Sequence, residues 1–355
     1  MPPTTTAGPV AAAAGPADGE IPAPARMIEL LAGFQLSQAL YVVAKCDIAS
    51  ALVDGPRPVA ELADATGCDP GALRRLLRTL AAAGLFTHHR DGTVALTPLG
   101  ATLAEGVPGS VRDLALMWME THYAPFARLL DTVRTGVPAA AVHYGRPFFD
   151  WLGDHPEQVA RFTAAMANHT SGIKAGALTG YRLPAGRTVV DIGGADGTLL
   201  ADLLITDPDP SRRGIVFDLP HVVSAAPALL TARGLDARVT AQGGDFFDAV
   251  PAADVYVLSW ILHDWDDTAS TRILAGIAAA ATSGARLVVI EMVIPAEDSP
   301  HPAKTIDLTM LAMLTGKERT QAEFETLLAT AGFTLDRLIP GSNGSPCSIL
   351  EATLL

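Results

Sequence analysis

Apolar residues follow two rhythms along this chain, and the change between them divides it. From Arg26 to Leu80 the spacing is helical. Leu30, Leu31, Phe34 and Leu36 begin one apolar stripe, and Leu73, Leu76, Leu77 and Leu80 fall at i, i+3, i+4 and i+7, a single buried face. Asp69 before Pro70 reads as an N-cap with proline at the first helical position. Thr66-Gly67 and Gly84 read as stops. Leu85-Phe86-Thr87 and Val94-Ala95-Leu96 then flank Asp91-Gly92, a hairpin signal. Helix, helix and hairpin in that order predict a winged-helix unit over residues 25–110.

From Val111 to Tyr181 the pattern stays helical and rich in aromatics, among them Phe148, Phe149, Trp151 and Phe162. From Arg187 onward short apolar runs alternate with helical segments. Strands are predicted at Thr188–Ile192, Gly214–Phe217, Ala237–Ala241 and Asp254–Ser259, then at Ala285–Glu291, Thr334–Leu338 and Cys347–Ala352. Such alternation gives a parallel sheet covered on both faces. The last two runs are joined only by Ile339–Pro346, too short for a helical crossover, so they should pair antiparallel. The expected fold class is α/β: a seven-stranded Rossmann-like sheet over 182–355, preceded by a helical region over 111–181. Residues 1–24, mostly Ala, Pro, Thr and Gly, read as a disordered tail.

Composition narrows the function classes. The chain has 355 residues, 49% hydrophobic and 18% charged, a soluble globular balance long enough for two domains. A net charge of −13 argues against a sequence-independent grip on nucleic acid, so Arg74, Arg75 and Arg78 read as a solvated helix face rather than a recognition surface. The tail lacks a basic start and a compact apolar run, which argues against a secretory signal. The strongest later apolar run, Leu287 to Ile290, is of strand length, so no membrane partner is expected. Cys46, Cys68 and Cys347 are scattered and imply neither a disulfide framework nor a metal site. A cytoplasmic location follows from that cysteine usage.

Chemistry enters at Val189-Val190-Asp191-Ile192-Gly193-Gly194-Ala195-Asp196-Gly197. A β-branched run ends in an acid, breaks into a glycine turn and leads into a helix from Thr198, the opening of a nucleotide-type site. Asp218 ends the next strand, beside Leu219, where an acid can accept from ribose hydroxyls. Gly244-Asp245-Phe246-Phe247 follows the third strand and offers a carboxylate for an adenine amine and an aromatic face for the ring. The fourth strand ends at Ser259-Trp260. Charge chooses between adenosine cofactors: Asp191 and Asp196 in the turn would repel a pyrophosphate but suit a sulfonium, so S-adenosylmethionine is favoured over a nicotinamide dinucleotide. Asp191, Gly193, Gly194, Gly197, Asp218, Leu219, Gly244, Asp245, Phe246, Phe247, Ser259 and Trp260 form the candidate cofactor set.

His263, next to Asp264, lies just past the fourth strand on the same sheet edge. An imidazole there can act as general base toward a phenolic hydroxyl. Either Glu291, ending the fifth strand, or Glu318 could accept from its second ring nitrogen. Met310 and Met313 share a helical face and, with Met166 and His169, are candidate acceptor-binding residues.

These motifs, with Phe217-Asp218-Leu219-Pro220-His221-Val222, His263-Asp264-Trp265 and Gly316-Lys317-Glu318-Arg319-Thr320, resemble the cation-independent S-adenosylmethionine-dependent O-methyltransferases of plant caffeate and bacterial natural-product type. The resemblance runs from the winged-helix segment to the C-terminus. It implies that His263 is the base with Glu291 and Glu318 flanking it, and that Gly193, Asp218, Asp245, Phe246 and Ser259 contact the cofactor. It also implies a homodimer through the N-terminal winged-helix dimerisation domain, an aromatic small-molecule acceptor and no metal. Relatives that use the bound cofactor for hydroxylation or decarboxylation, and a winged-helix regulator, stand as alternatives. Two departures are Ala195, where the family has glycine, and Asp196. The extra methyl should be tolerated provided Ala195 avoids positive φ.

Overall fold

A computed structural model describes residues 21–342 and 344–355, with the backbone alone for 167–175. Most of the expected tail therefore lies outside the described residues. The chain forms two compact units, one ending at Val107 and one running from Pro108 to Leu355. The helical stretch after Val111 thus belongs to the same unit as the large sheet.

In the first unit, helices Gly33–Lys45, Val59–Thr66 and Pro70–Ala82 accompany a small sheet of β1 (Arg57–Pro58), β2 (Phe86–His88) and β3 (Thr93–Leu96) in the order β1-β3-β2. The signals read from sequence act as expected. Asp69 accepts the Ala72 N–H at 2.7 Å, and Gly67 closes its helix at φ +64°. Leu73, Leu77 and Leu80 are buried. This is a winged helix.

One expectation needs correcting here. Among the described residues, Ala23–Lys45 is helical, long and apolar enough to cross a membrane by length and composition, with a mean hydropathy of 1.4 in its best window. The physical reason it escaped is that its apolar residues are interspersed with Arg26, Glu29, Gln35 and Gln38 rather than contiguous. It consists of two helices, Ala23–Leu31 and Gly33–Lys45, and Ile28, Leu30, Leu31 and Phe34 are all more than half exposed in this chain.

The second unit is built on β4 (Thr188–Ile192), β5 (Arg213–Asp218), β6 (Val239–Gly243), β7 (Val255–Ser259), β8 (Arg286–Ile294), β9 (Arg319–Thr320), β10 (Phe333–Ile339) and β11 (Cys347–Leu354). The sheet order is β10-β11-β8-β7-β4-β5-β6, with β9 paired to β8 off that path. Strands β4 to β8 are parallel, and β11 runs antiparallel between β8 and β10. Alternation sorts the two faces. Val189, Val255, Val257 and Val288 pack under helix Thr198–Ile205 on one side. Val190, Tyr256, Leu258 and Val289 meet helices Asp267–Ala280 and Gln321–Thr330 on the other. Both faces are covered, which leaves the carboxyl ends of the parallel strands as the open edge.

Candidate active site

The turn after β4 closes against the loop after β7. Gly193 has φ +70°, and a Cβ there would stand 2.3 Å from the Ile261 side chain. Asp191 lies buried beneath the turn, 2.9 Å from where a Gly194 Cβ would be. Gly197, at φ +80°, leads into the helix. Ala195 has φ +49°, so the condition for tolerating its methyl is not met, and its left-handed backbone carries a strain of about 1 kcal/mol. The turn takes this geometry to deliver the Ala195 N–H to Asp218 Oδ2 at 3.0 Å. Asp196 is also engaged locally. Its Oδ1 accepts the Thr198 N–H at 3.0 Å, a local turn bond just before the helix that leaves the carboxylate charged.

Along the same edge, Asp218 accepts the Leu219 N–H at 2.7 Å with its other oxygen, and burial raises its pKa. Asp245 is exposed and its Oδ1 accepts the Phe247 N–H at 2.8 Å. Gly244 is pressed against the Phe217 ring, where a Cβ would stand 2.6 Å away. Phe247 is committed to packing: Trp265 meets it edge-on at 4.7 Å and the Arg272 guanidinium lies 4.9 Å over its ring. Phe246, half-buried beside it, is the freer aromatic face. Ser259 is buried, and its Oγ has no hydrogen-bond partner among the described residues. This collection of carboxylates, backbone, a hydroxyl and an aromatic ring, with no basic side chain among them, fits an adenosyl group carrying a cationic sulfur.

Trp260, expected beside the cofactor, is half-buried and packs against the histidine as well. It takes φ +58° and packs in a cluster with Met292, Ala303 and Cys347, with its ring edge-on to His263 at 5.0 Å. A bulky residue in the left-handed region is a strained position of the kind found at functional sites. It walls the histidine.

His263 sits on a single 3-10 turn, Leu262–Asp264, directly after β7 and is buried. Its Nδ1 lies 2.7 Å from Glu318 Oε1, and its Nε2 lies 3.4 Å from Asp264 Oδ1. Glu291 is not the ring partner. Its Oε1 instead accepts the N–H groups of Ile261, Leu262 and His263 at 3.2, 2.7 and 3.3 Å, so it fixes the turn rather than the imidazole. Glu318 reaches the ring because β9 pairs with Val293–Ile294 at the end of β8, and because Asp307 Oδ1 accepts its N–H at 2.9 Å. Gly316 allows the approach: a Cβ there would lie 1.9 Å from the His263 carbonyl oxygen. Burial alone would lower the His263 pKa, but Asp264, the Glu318 hydrogen bond and Glu291 outweigh it and raise the value to about 9. Burial, opposed by His263, pushes Glu291 up to about 7.

The acceptor-binding candidates scatter. Met313 is buried among Ala139, Ala140, Phe148 and Leu152, so it serves the core rather than facing an acceptor as expected. Met310 is buried, and Met166 is half-buried beside Leu114, Met117 and Phe162. The His169 side chain lies outside the described residues. Sequence reasoning missed His122, on a π-helical turn Trp118–His122. It is buried, bonded through Nδ1 to Thr121 Oγ1 at 2.7 Å, and kept neutral by burial, which lowers its pKa to about 4. An extra residue in a helical turn leaves no sequence signature.

Sheet order, turn and buried His–Glu pair together define an adenosyl-dependent transferase site. Residues 126–334 match the family model described as an O-methyltransferase domain, and residues 28–106 match an O-methyltransferase dimerisation domain. A phenazine O-methyltransferase of Lysobacter antibioticus is 40% identical over 335 residues, covering 94% of this chain and 97% of the relative. An 8-amino-8-demethylriboflavin N,N-dimethyltransferase of Streptomyces davaonensis is 35% identical, covering 90% and 92%. An O-methyltransferase from neocarzinostatin biosynthesis, solved with S-adenosylmethionine and 2-hydroxy-5-methyl naphthoic acid, superposes with a TM-score of 0.77 at 37% identity, covering 90% and 96%. The chain belongs to the O-methyltransferase family, and its cofactor is S-adenosylmethionine.

Proposed function

We propose that this protein methylates a hydroxyl on a planar aromatic small molecule, with His263 taking the hydroxyl proton. The observation that carries this reading is the buried His263–Glu318 pair, 2.7 Å apart, at the open edge of the sheet. S-adenosylmethionine, when bound, supplies an electrophilic methyl group on its sulfonium. A phenol, with a pKa of about 10, is a poor nucleophile until it loses its proton. Donation of Nδ1–H to Glu318 fixes the tautomer, leaves Nε2 for the acceptor and stabilises the imidazolium. Asp264, 3.4 Å from Nε2, is placed to take a second polar group of the acceptor. Asp218, Asp245, Phe246 and Ser259 would hold the adenosyl part.

The acceptor class draws support from relatives named for phenazine, riboflavin and naphthoate chemistry, all planar ring systems. Within the same unit, Tyr144 stacks on Trp151 at 4.0 Å, beside Phe148 and Phe162, in surroundings that suit flat rings. Met166, His169 and Met310 are the residues proposed to reach the acceptor. The enzyme acts as a homodimer through residues 28–106, in a reducing cytoplasm that suits its three free cysteines.

The test is transfer of labelled methyl to a panel of phenolic, anthraquinone and phenazine compounds and their amino counterparts, from about pH 6 to 10. Hydroxyl acceptors should take the label. With an unactivated phenol, kcat/KM should rise as pH climbs through about 9, because His263 holds its own proton below that value. With a phenol already ionised at neutral pH the sign reverses: the rate should fall above about 9, as the imidazolium that pairs with the phenolate is lost. Label found only on amines, or profiles indifferent to acceptor acidity, would contradict the proposal.

A further inference from the structure

Arg319 follows Glu318 and is the largest fully buried side chain among the described residues. With no exposed surface it can touch neither cofactor nor acceptor. Its guanidinium donates to the carbonyl oxygens of Leu262 at 2.8 Å and Trp265 at 2.9 Å, to Ser270 Oγ at 3.1 Å, and to Asp267 Oδ1 at 3.0 and 3.1 Å. The two carbonyls bracket His263. Their other bonds are long: the Trp265 N–H donates to the Leu262 oxygen at 3.3 Å and Ser270 Oγ lies 3.3 Å from both oxygens, so the arginine supplies the shorter, charge-assisted bonds. On the other side of the same turn, Glu291 collects three N–H groups. A cation therefore grips the carbonyl side of the turn and an anion grips its amide side, with the catalytic imidazole between them.

The backbone ties these grips together. Arg319 and Glu318 are adjacent, and β9 pairs Arg319 and Thr320 with the end of β8, the strand that carries Glu291, so Glu318 enters directly before that ladder. One two-residue ladder thus sets the ring partner and the turn clamp in a single register. The planar fork of arginine, with five donors, spans acceptors on several sides, which a lysine ammonium cannot reproduce.

We infer that Arg319 is a positioning residue for methyl transfer: it holds the Leu262–Trp265 turn so that Nδ1 of His263 meets Glu318 and Nε2 faces the acceptor. The inference rests on the reading of His263 as the base.

The test is a double-mutant cycle between Arg319→Lys and His263→Ala, read as kcat on a phenol. S-adenosylhomocysteine affinity is measured by calorimetry alongside. Arg319→Lys keeps the buried charge and should lower kcat about 10²-fold, the scale of a misplaced catalytic group, while leaving cofactor affinity unchanged. Added to His263→Ala it should cost nothing further, because a residue that acts only through another has nothing left to position. Full kcat in Arg319→Lys beside an inactive His263→Ala overturns this inference alone, as does a loss that multiplies with that of His263→Ala. Full kcat in His263→Ala overturns the base reading and this inference with it. Should Arg319→Lys fail to fold, Asp267→Asn takes its place in the cycle. The Asp267 side chain is 59% exposed, and its loss frees one anchor of the fork without unpairing it. A smaller drop in kcat that vanishes beside His263→Ala supports the inference, and an additive drop overturns it.

Discussion

At the scale of residues, two glutamates and one alanine adopt roles that only the folded chain decides. Position after a strand at the open edge made His263 legible in the sequence, but Glu291 and Glu318 could not be told apart. Both can be brought to that edge, and only the contact of one carboxylate with ring nitrogen and the other with backbone N–H separates them. Arg319 was hidden for a similar reason: an arginine beside a glutamate reads as a surface ion pair until its burial is known. Ala195 was visible as a departure, yet its φ was not. Since left-handed backbone favours glycine, Ala195→Gly should stabilise the fold by about 1 kcal/mol in urea unfolding. Unchanged or lower stability would show that the turn is not strained there. The variant should also keep the N–H bond to Asp218, which needs no side chain.

Among the elements, the strands of the large sheet were readable because short continuous apolar runs mark strands buried on both faces, and each of the seven expected runs overlaps an observed strand. Thr188–Ile192 has the expected bounds, and no end moved by more than three residues. What did not show was β9, only two residues long. Its neighbour carried a signal all the same. Thr320 and Glu323 form a capping box that starts helix Gln321–Thr330, and this fixes where the preceding segment must stop. The pair of helices from Ala23 to Lys45 poses the opposite problem, an apolar stripe legible in sequence whose partner is not. Leu31 is 69% and Ile28 65% exposed in the single chain, and both lie at the start of a match to a dimerisation domain or just inside it. Large contiguous apolar patches mark interaction sites. Leu31→Asp should therefore shift the protein from dimer to monomer in sedimentation velocity with the second unit still folded. A variant that stays dimeric places the interface elsewhere.

At the scale of the whole molecule, a winged helix and a seven-stranded transferase sheet share one chain, and a winged helix alone would have raised nucleic acid as a partner. Net charge argued otherwise, and both parts match models from the same enzyme family. The sheet brings the glycine turn after β4 and His263 after β7 to one edge although they lie far apart in sequence. Sequence showed that convergence because both segments follow expected parallel strands, but not the grip on the turn that carries His263, which depends on contacts across 49 to 57 residues. The central claim is that His263 performs the proton transfer while other residues hold the cofactor. Its most direct test is single-turnover methyl transfer to an unactivated phenol by His263→Ala, with S-adenosylhomocysteine affinity measured on the same sample. The account predicts a loss of roughly 10²–10⁴-fold in rate, the range of a general base, with cofactor affinity unchanged. A variant that turns over at the wild-type rate would contradict it.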